Sequence, residues 1–259
     1  MMKIVWGLMV CLLLAACEAQ ATPIASMSTP TVPPQATLPP TQILRYGAAP
    51  NIVAYLGDDV AAPYEILDNN LPITAYDLVV AYGIYDGWQQ SPVSHRVSLA
   101  INPNLPPLTI AIFRDLMTSI VNPQVIVDTL NIPNAQQTTV QDAVLSTLDS
   151  RTLLANNGYP DGFQLIMATE TVPALDLIVS QFADLSVDLR LIDMQETVIS
   201  DNQAHLVLFL WAQETERSFW VNQVGEENIL DLWTMPISYL AQNDRSIEFT
   251  ENGIPLFVE

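Results

Sequence analysis

Past residue 17 this 259-residue chain has no cysteine; Cys11 and Cys17 are the only two. Everything downstream therefore lacks a thiol for a disulfide, a zinc site or a nucleophile, and must draw its stability from core burial. Lysine is scarcer still, with Lys3 the only one. Seven arginines and that lysine face 28 acidic residues, for a formal net charge of −20 and a sequence pI near 4.1. Such a chain is no nucleic-acid binder, because counterion release needs clustered Lys and Arg along the phosphates. Nor is it a polybasic membrane-surface module. Catalytic patterns are missing as well: there is no G-x-S-x-G elbow and no Walker-type glycine loop, and His95 and His205 have no carboxylate at ligand or triad spacing. The sequence nominates no enzyme, no metal site and no cofactor. Its charge is sparse, 14% of residues against 50% hydrophobic. That composition belongs to a folding chain and not to an acidic disordered tail.

The N-terminus is the first feature that is present. Lys3 precedes an apolar run from Ile4 to Ala16, too short to span a bilayer and about right for an export signal. It closes on Leu14-Ala15-Ala16-Cys17, which resembles the lipobox of bacterial lipoproteins. That resemblance implies a signal peptide at 1–16, lipidation of Cys17, and a chain anchored to the membrane through its N-terminal lipid, facing away from the cytoplasm. Residues 17–42 then carry Pro23, Pro30, Pro33, Pro34, Pro39 and Pro40 among Ala, Thr, Ser and Gln. Proline at this density blocks helix and ladder hydrogen bonds and predicts an extended tether.

From Ile43 onward strand-like and helix-like patterns alternate. Strands are expected at Asn51–Tyr55, Tyr64–Leu67, Leu78–Tyr82, Arg96–Ile101, Gln164–Thr169, Val187–Met194 and His205–Trp211. The clearest helix is Ile110–Val121, where Phe113, Leu116, Met117, Ile120 and Val121 recur on one face. Asn122 and Pro123 read as the N-cap and first residue of the next helix. A third helix is expected over Val140–Asn156, stopped by Gly158, and a fourth over Pro173–Leu185. Strand, helix and strand from 164 to 194 make a βαβ unit, so the fold class is α/β.

Leu153-Leu154-Ala155-Asn156-Asn157-Gly158-Tyr159-Pro160-Asp161-Gly162-Phe163, followed by strand, helix and strand, resembles the signature of the solute-binding proteins of peptide/nickel-type ABC transporters. Val97–Asn102, Val125-Ile126-Val127-Asp128 and the strand ending at Trp211 extend the likeness over residues 96–212. The chain departs from that pattern at Ile120–Gln124, where an acidic and basic pair is replaced, and at Ser186, where the family has glycine. The resemblance implies a periplasmic-binding-protein type II-like fold of parallel-rich sheets, in two lobes. Residues 43–104 and 241–259 would form a reduced first lobe and 105–240 the second.

The resemblance further implies a small-molecule or peptide ligand, bound by hinge closure and passed to an ABC permease; the alternative is a surface lipoprotein using a reduced fold as an interaction module. Two stretches suit a cleft. In the first, Tyr82, Tyr85 and Trp88 offer aromatic faces beside glycines; the second carries Trp211, Arg217 and Trp220. Arg217 could hold a ligand carboxylate through two parallel hydrogen bonds, or pair with Glu214 on the same turn.

Overall fold

Leu78–Tyr82 alternates nothing, being apolar at every position, and such a run belongs in a strand covered on both faces. All five residues are buried there as β3. In the computed structural model, residues 43–53, 55–56, 64–68, 70–138 and 147–258 are described. The expected signal peptide, Cys17, the tether and the start of the helix expected from Val140 lie outside them.

Before β3 come β1 (Tyr46–Ala48), α1 (Pro50–Val53) and β2 (Tyr64–Ile66). The helix α1 stands where a strand was expected over Asn51–Tyr55. Pro50 presets a helical φ at the first turn, and the apolar run behind it is too short to oppose this. After β3, β4 (Gln89–Ile101) leads to α2 (Ala111–Ile120), α3 (Pro123–Leu130), β5 (Gln136–Gln137) and α4 (Thr147–Asn156). Then follow β6 (Phe163–Thr169), α5 (Leu175–Asp184), β7 (Val187–Asp193), β8 (Leu206–Trp211), α6 (Glu214–Val224) and β9 (Ile229–Ala241). The hairpin β10 (Ile247–Phe249) and β11 (Pro255–Phe257) closes the chain.

Among the described residues, nine strands form one mixed sheet in the order β2-β1-β3-β9-β4-β8-β6-β7, with β5 also on β9. Its two wings are parallel: β1 with β2 and β3, and β6 with β7 and β8. The centre is antiparallel, made by the 13-residue strands β4 and β9. Because three successive antiparallel pairings, β3–β9, β9–β4 and β4–β8, separate them, the wings run in opposite directions.

The expected helices pack as the 3.6 period requires. Phe113, Leu116, Met117 and Ile120 of α2 are buried against Leu165 and Met167 of β6 and Ile178 and Phe182 of α5. Each such side chain contributes about 2 kcal/mol through its burial. The side chain of Asn122 accepts from the Val125 N–H at 3.3 Å, and Pro123 follows, so α3 starts as read. The opposite sheet face is closed by Trp220 and Val224 of α6 with Val198 and Ile199, against Phe209 and Trp211.

The Tyr159–Gly162 turn closes through the Gly162 N–H on the Tyr159 carbonyl at 3.1 Å. Phe163 then stacks edge-on with Phe113 and Tyr159, at ring separations of 5.7 and 5.2 Å. Gly162 is obligatory at this place. Its φ is +82°, and a Cβ there would stand 1.8 Å from the Ser186 carbonyl oxygen that accepts the Phe163 N–H.

Candidate functional site

Register decides where the wings meet. Trp211, the last residue of β8, lies beside Arg96 of β4, which pairs with Thr234 of β9. Tyr82, the last residue of β3, pairs with Ile237 of the same β9 strand. The carboxyl ends of the two parallel wings therefore point toward each other over Thr234–Ile237. Crevices at the carboxyl ends of strands, where neighbouring connections diverge, are the usual ligand sites of open α/β sheets.

Among the described residues, three cavities along this edge share one lining residue. One of about 290 Å³ is lined by Tyr55 from the first wing, Glu170 and Ala212 from the second, His95 of β4, Glu216 of α6 and Asn252 of the β10–β11 turn. A second, of about 980 Å³, lies over the ends of β6 and β7, and a third, of about 470 Å³, between Met194 and α6. Glu170 lines all three. It follows β6 directly, and its Oε1 accepts the Leu210 N–H at 2.9 Å. Surrounding protein raises its carboxyl above the ordinary range; the Leu210 hydrogen bond opposes that and the neighbouring Glu216 adds to it. Glu216 is held in turn by the Ala212 and Gln213 N–H groups, at 2.8 and 3.1 Å on Oε2, closing the first turn of α6.

His95 forms the buried back wall. Its Nε2 is 2.9 Å from the Asn252 carbonyl, which can only accept, so Nε2 carries the proton. Nδ1 then accepts from the Tyr82 hydroxyl at 2.5 Å. Burial lowers the His95 pKa, the Asn252 carbonyl and Glu216 pulling the other way. Burial likewise raises the Tyr82 hydroxyl and pushes Tyr55, whose ring lies 5.7 Å from that of Tyr82, up to about 12. Imidazole and phenols are thus neutral at pH 7, and the wall is a set of fixed dipoles.

The residues nominated from sequence divide. Trp211 lines the 290 Å³ cavity and Trp220 the 470 Å³ one. Tyr82 is fully buried behind His95 and Tyr55 and does not itself line the cleft. Tyr85 donates to the Tyr82 carbonyl at 2.8 Å and packs on Trp88 at 5.0 Å; neither lines any of the three cavities. Arg217 is turned away as well, toward Glu226, Asp231 and, at 3.7 Å, Glu214. Trp211 donates to Ser98 at 2.8 Å, Ser98 to Asp231 at 2.6 Å, and Arg217 lies on Asp231 at 3.1 Å, so these four side chains form one internal chain. His205 is held by backbone, accepting the Ile166 N–H and lying 3.1 Å from the Pro106 carbonyl. Glu170, Tyr55, Glu216 and Asn252 were not nominated. The signal for Glu170 was its place one residue past a parallel strand; the others are brought in by tertiary structure.

The class so defined is an α/β protein with a crevice between opposed carboxyl edges. No protein-family model matches the chain, and no curated protein matches it. Among solved structures, it is similar to a periplasmic oligopeptide-binding protein from Borrelia burgdorferi, at 12% identity over 66% of this chain and 50% of that one, TM-score 0.48. It is also similar to a dipeptide binding protein from Pseudoalteromonas sp. SM9913, in complex with Met-Leu, at 11% identity over 74% and 56%, TM-score 0.48. A third is a substrate binding protein from Microbacterium hydrocarbonoxydans, complexed with 4-hydroxybenzoate hydrazide, at 9% identity over 71% and 55%, TM-score 0.49. The chain spans about half the length of these structures.

Proposed function

We propose that this chain is a lipid-anchored solute-binding protein that presents a small polar solute, such as a short peptide, to an ABC permease. The observation that carries the reading is the convergence of three cavities on Glu170, between wings that β4 and β9 connect. On this reading the first wing belongs to the reduced first lobe (43–104 and 241–259) and the second wing to the second lobe (105–240). The lipid on Cys17 and the 17–42 tether hold the body near its permease. Charge narrows the solute. Among the described residues, the three cavities are lined by Glu170, Asp176, Asp193, Glu196 and Glu216 and by no lysine or arginine. An anionic solute would meet uncompensated like charge; a neutral one, or one with an ammonium group, would not.

The test is a thermal-shift panel of short peptides, amino acids, amines and sugars on the purified chain. A ligand at about one hundred times its Kd stabilises the folded state by about 2.7 kcal/mol. A stabilising peptide, amine or neutral solute supports the reading. Silence across the panel, with an unchanged scattering radius, overturns it.

A further inference from the structure

The β10–β11 hairpin is rooted in the first wing and touches the second with its tip. Its apolar side chains share a small core with Tyr46, Leu78 and Tyr239, Phe257 lying 5.8 Å from Tyr46 and Phe249 5.5 Å from Tyr239. Among the described residues it belongs to no part of the large sheet and pairs only with itself. The turn folds on its own bonds: Gly253 N–H to the Thr250 carbonyl, and Ile254 N–H to the Thr250 hydroxyl. That leaves the carbonyls of Glu251, Asn252 and Gly253 pointing outward in need of donors.

Each is taken by a different side chain, two of them from β4. Gln213, at the start of α6 in the second wing, donates to Glu251 at 2.5 Å. His95 donates to Asn252 at 2.9 Å, and Ser91, also on β4, to Gly253 at 2.7 Å. Tyr64 of β2 takes the Pro255 carbonyl, on the first-wing side. Close approach accompanies the grip: a Cβ on Gly253, at φ +74°, would stand 2.6 Å from Ser91 Oγ and 2.8 Å from Val93 Cβ. Asn252, held between Ser91, His95 and Gln213 attachments, is a wall of the 290 Å³ cavity.

We infer that the C-terminal hairpin is a latch that sets the spacing of the two wings across the cleft. The wings are otherwise connected at this level by β4 and β9, which carry register shifts between Gln90 and Ser94 and between Val97 and Ser98. Such irregularities let strands bend. The hairpin tip braces the bend, and because every grip falls on a hairpin carbonyl, each can be removed from the other side without altering the hairpin itself. The purpose of the latch rests on the solute-binding reading; its existence does not.

Hydrogen exchange on the full chain without ligand tests it, comparing the native protein with Ser91→Ala/Gln213→Ala. The latch requires that the Gly253 and Ile254 amides exchange faster, by roughly ten-fold for each grip lost. It also requires that the Leu210 and Ala212 amides, which donate to Glu170 and Glu216 in the cleft, speed up with them, while α2, β6 and β7 stay protected. Acceleration confined to the hairpin overturns the proposal by making the hairpin an appendage. No acceleration, or equal acceleration everywhere, overturns it too. Because no ligand is present, a silent solute panel and a failed latch are separate results.

Discussion

Arg217 meets Glu226 as a two-pronged fork, Nη1 to Oε2 at 3.1 Å and Nη2 to Oε1 at 2.6 Å, while its Nε rests on Asp231. The Glu226 hydrogen bonds, with those of Asp231 behind them, raise the guanidinium further above its ordinary range; Arg217 in turn lowers the Glu226 carboxyl, against the opposing charge of Asp231. All of its planar recognition geometry is spent inside the protein. Arg217→Ala strips the half-buried Asp231 of this cation. It should cost about 2 kcal/mol in denaturant unfolding and leave the affinity for a stabilising solute within about two-fold. Lost affinity at unchanged stability would return Arg217 to the ligand.

Ser186 carries φ +63°, the left-handed backbone that makes glycine usual at such a place, and its carbonyl sits over Gly162. A side chain in this region costs about 1 kcal/mol. Ser186→Gly should therefore raise stability by up to about 1 kcal/mol, less what the unfolded chain gains in freedom. Gly162→Ala should do the opposite, because the added methyl would collide with backbone, and its expression or melting temperature should collapse. If the two variants melt alike, the close approach of Gly162 to the Ser186 carbonyl does not limit stability.

What could be read from sequence was what a single element decides for itself. β3 and α2 were legible because Leu78–Tyr82 and Phe113–Ile120 bury their own pattern, and the Asn122-Pro123 start of α3 is local chemistry. β9 was not, because Pro236 interrupts it and its neighbours on either side are distant in sequence. Neither was α6, which buries only Trp220 and Val224 and so shows little apolar stripe. The site followed the same rule. Arg217 drew attention as a rare cation, yet one of its partners, Asp231, lies on the unread β9. Glu170 stood one residue past an expected strand, but its share in three cavities emerges only with β6, β8 and α6 placed around it.

His95 links pH to stability with a definite sign. Burial holds its folded pKa below the ordinary imidazole value of 6.5, so the folded state takes up its proton later than the unfolded chain. The stabilisation is full above pH 6.5 and drains away as pH falls toward the folded pKa, by at most about 1.4 kcal/mol per unit per proton. His205 is lowered in the same direction and adds to the slope. The groups facing His95 are the Tyr82 hydroxyl, the Asn252 carbonyl and the Glu216 carboxylate. His95→Gln should be less stable at pH 7.5, yet its melting temperature should fall less steeply between pH 7 and pH 5, as read by circular dichroism. A parallel pH profile would show that His95 does not titrate on unfolding.

Glu170 reverses that sign. Surrounding protein raises its folded pKa above the ordinary carboxyl value of 4.5, so its contribution is complete below that pH and is lost as pH rises through the folded value. At neutral pH the folded protein thus carries a carboxylate it would prefer to neutralise. The cost is tolerable where a cationic group arrives to offset it. Glu170→Gln keeps an acceptor for the Leu210 N–H and removes the charge. It should leave the ligand-free protein as stable or slightly more so at pH 7.5. It should weaken an amine-bearing solute by roughly ten-fold to one hundred-fold, as a lost charge-assisted contact of about 1.5–3 kcal/mol requires, and affect an uncharged analogue far less. Calorimetric titration of the two solutes against both proteins reads this difference. Equal weakening of both would place Glu170 in the cleft's shape and not in its charge.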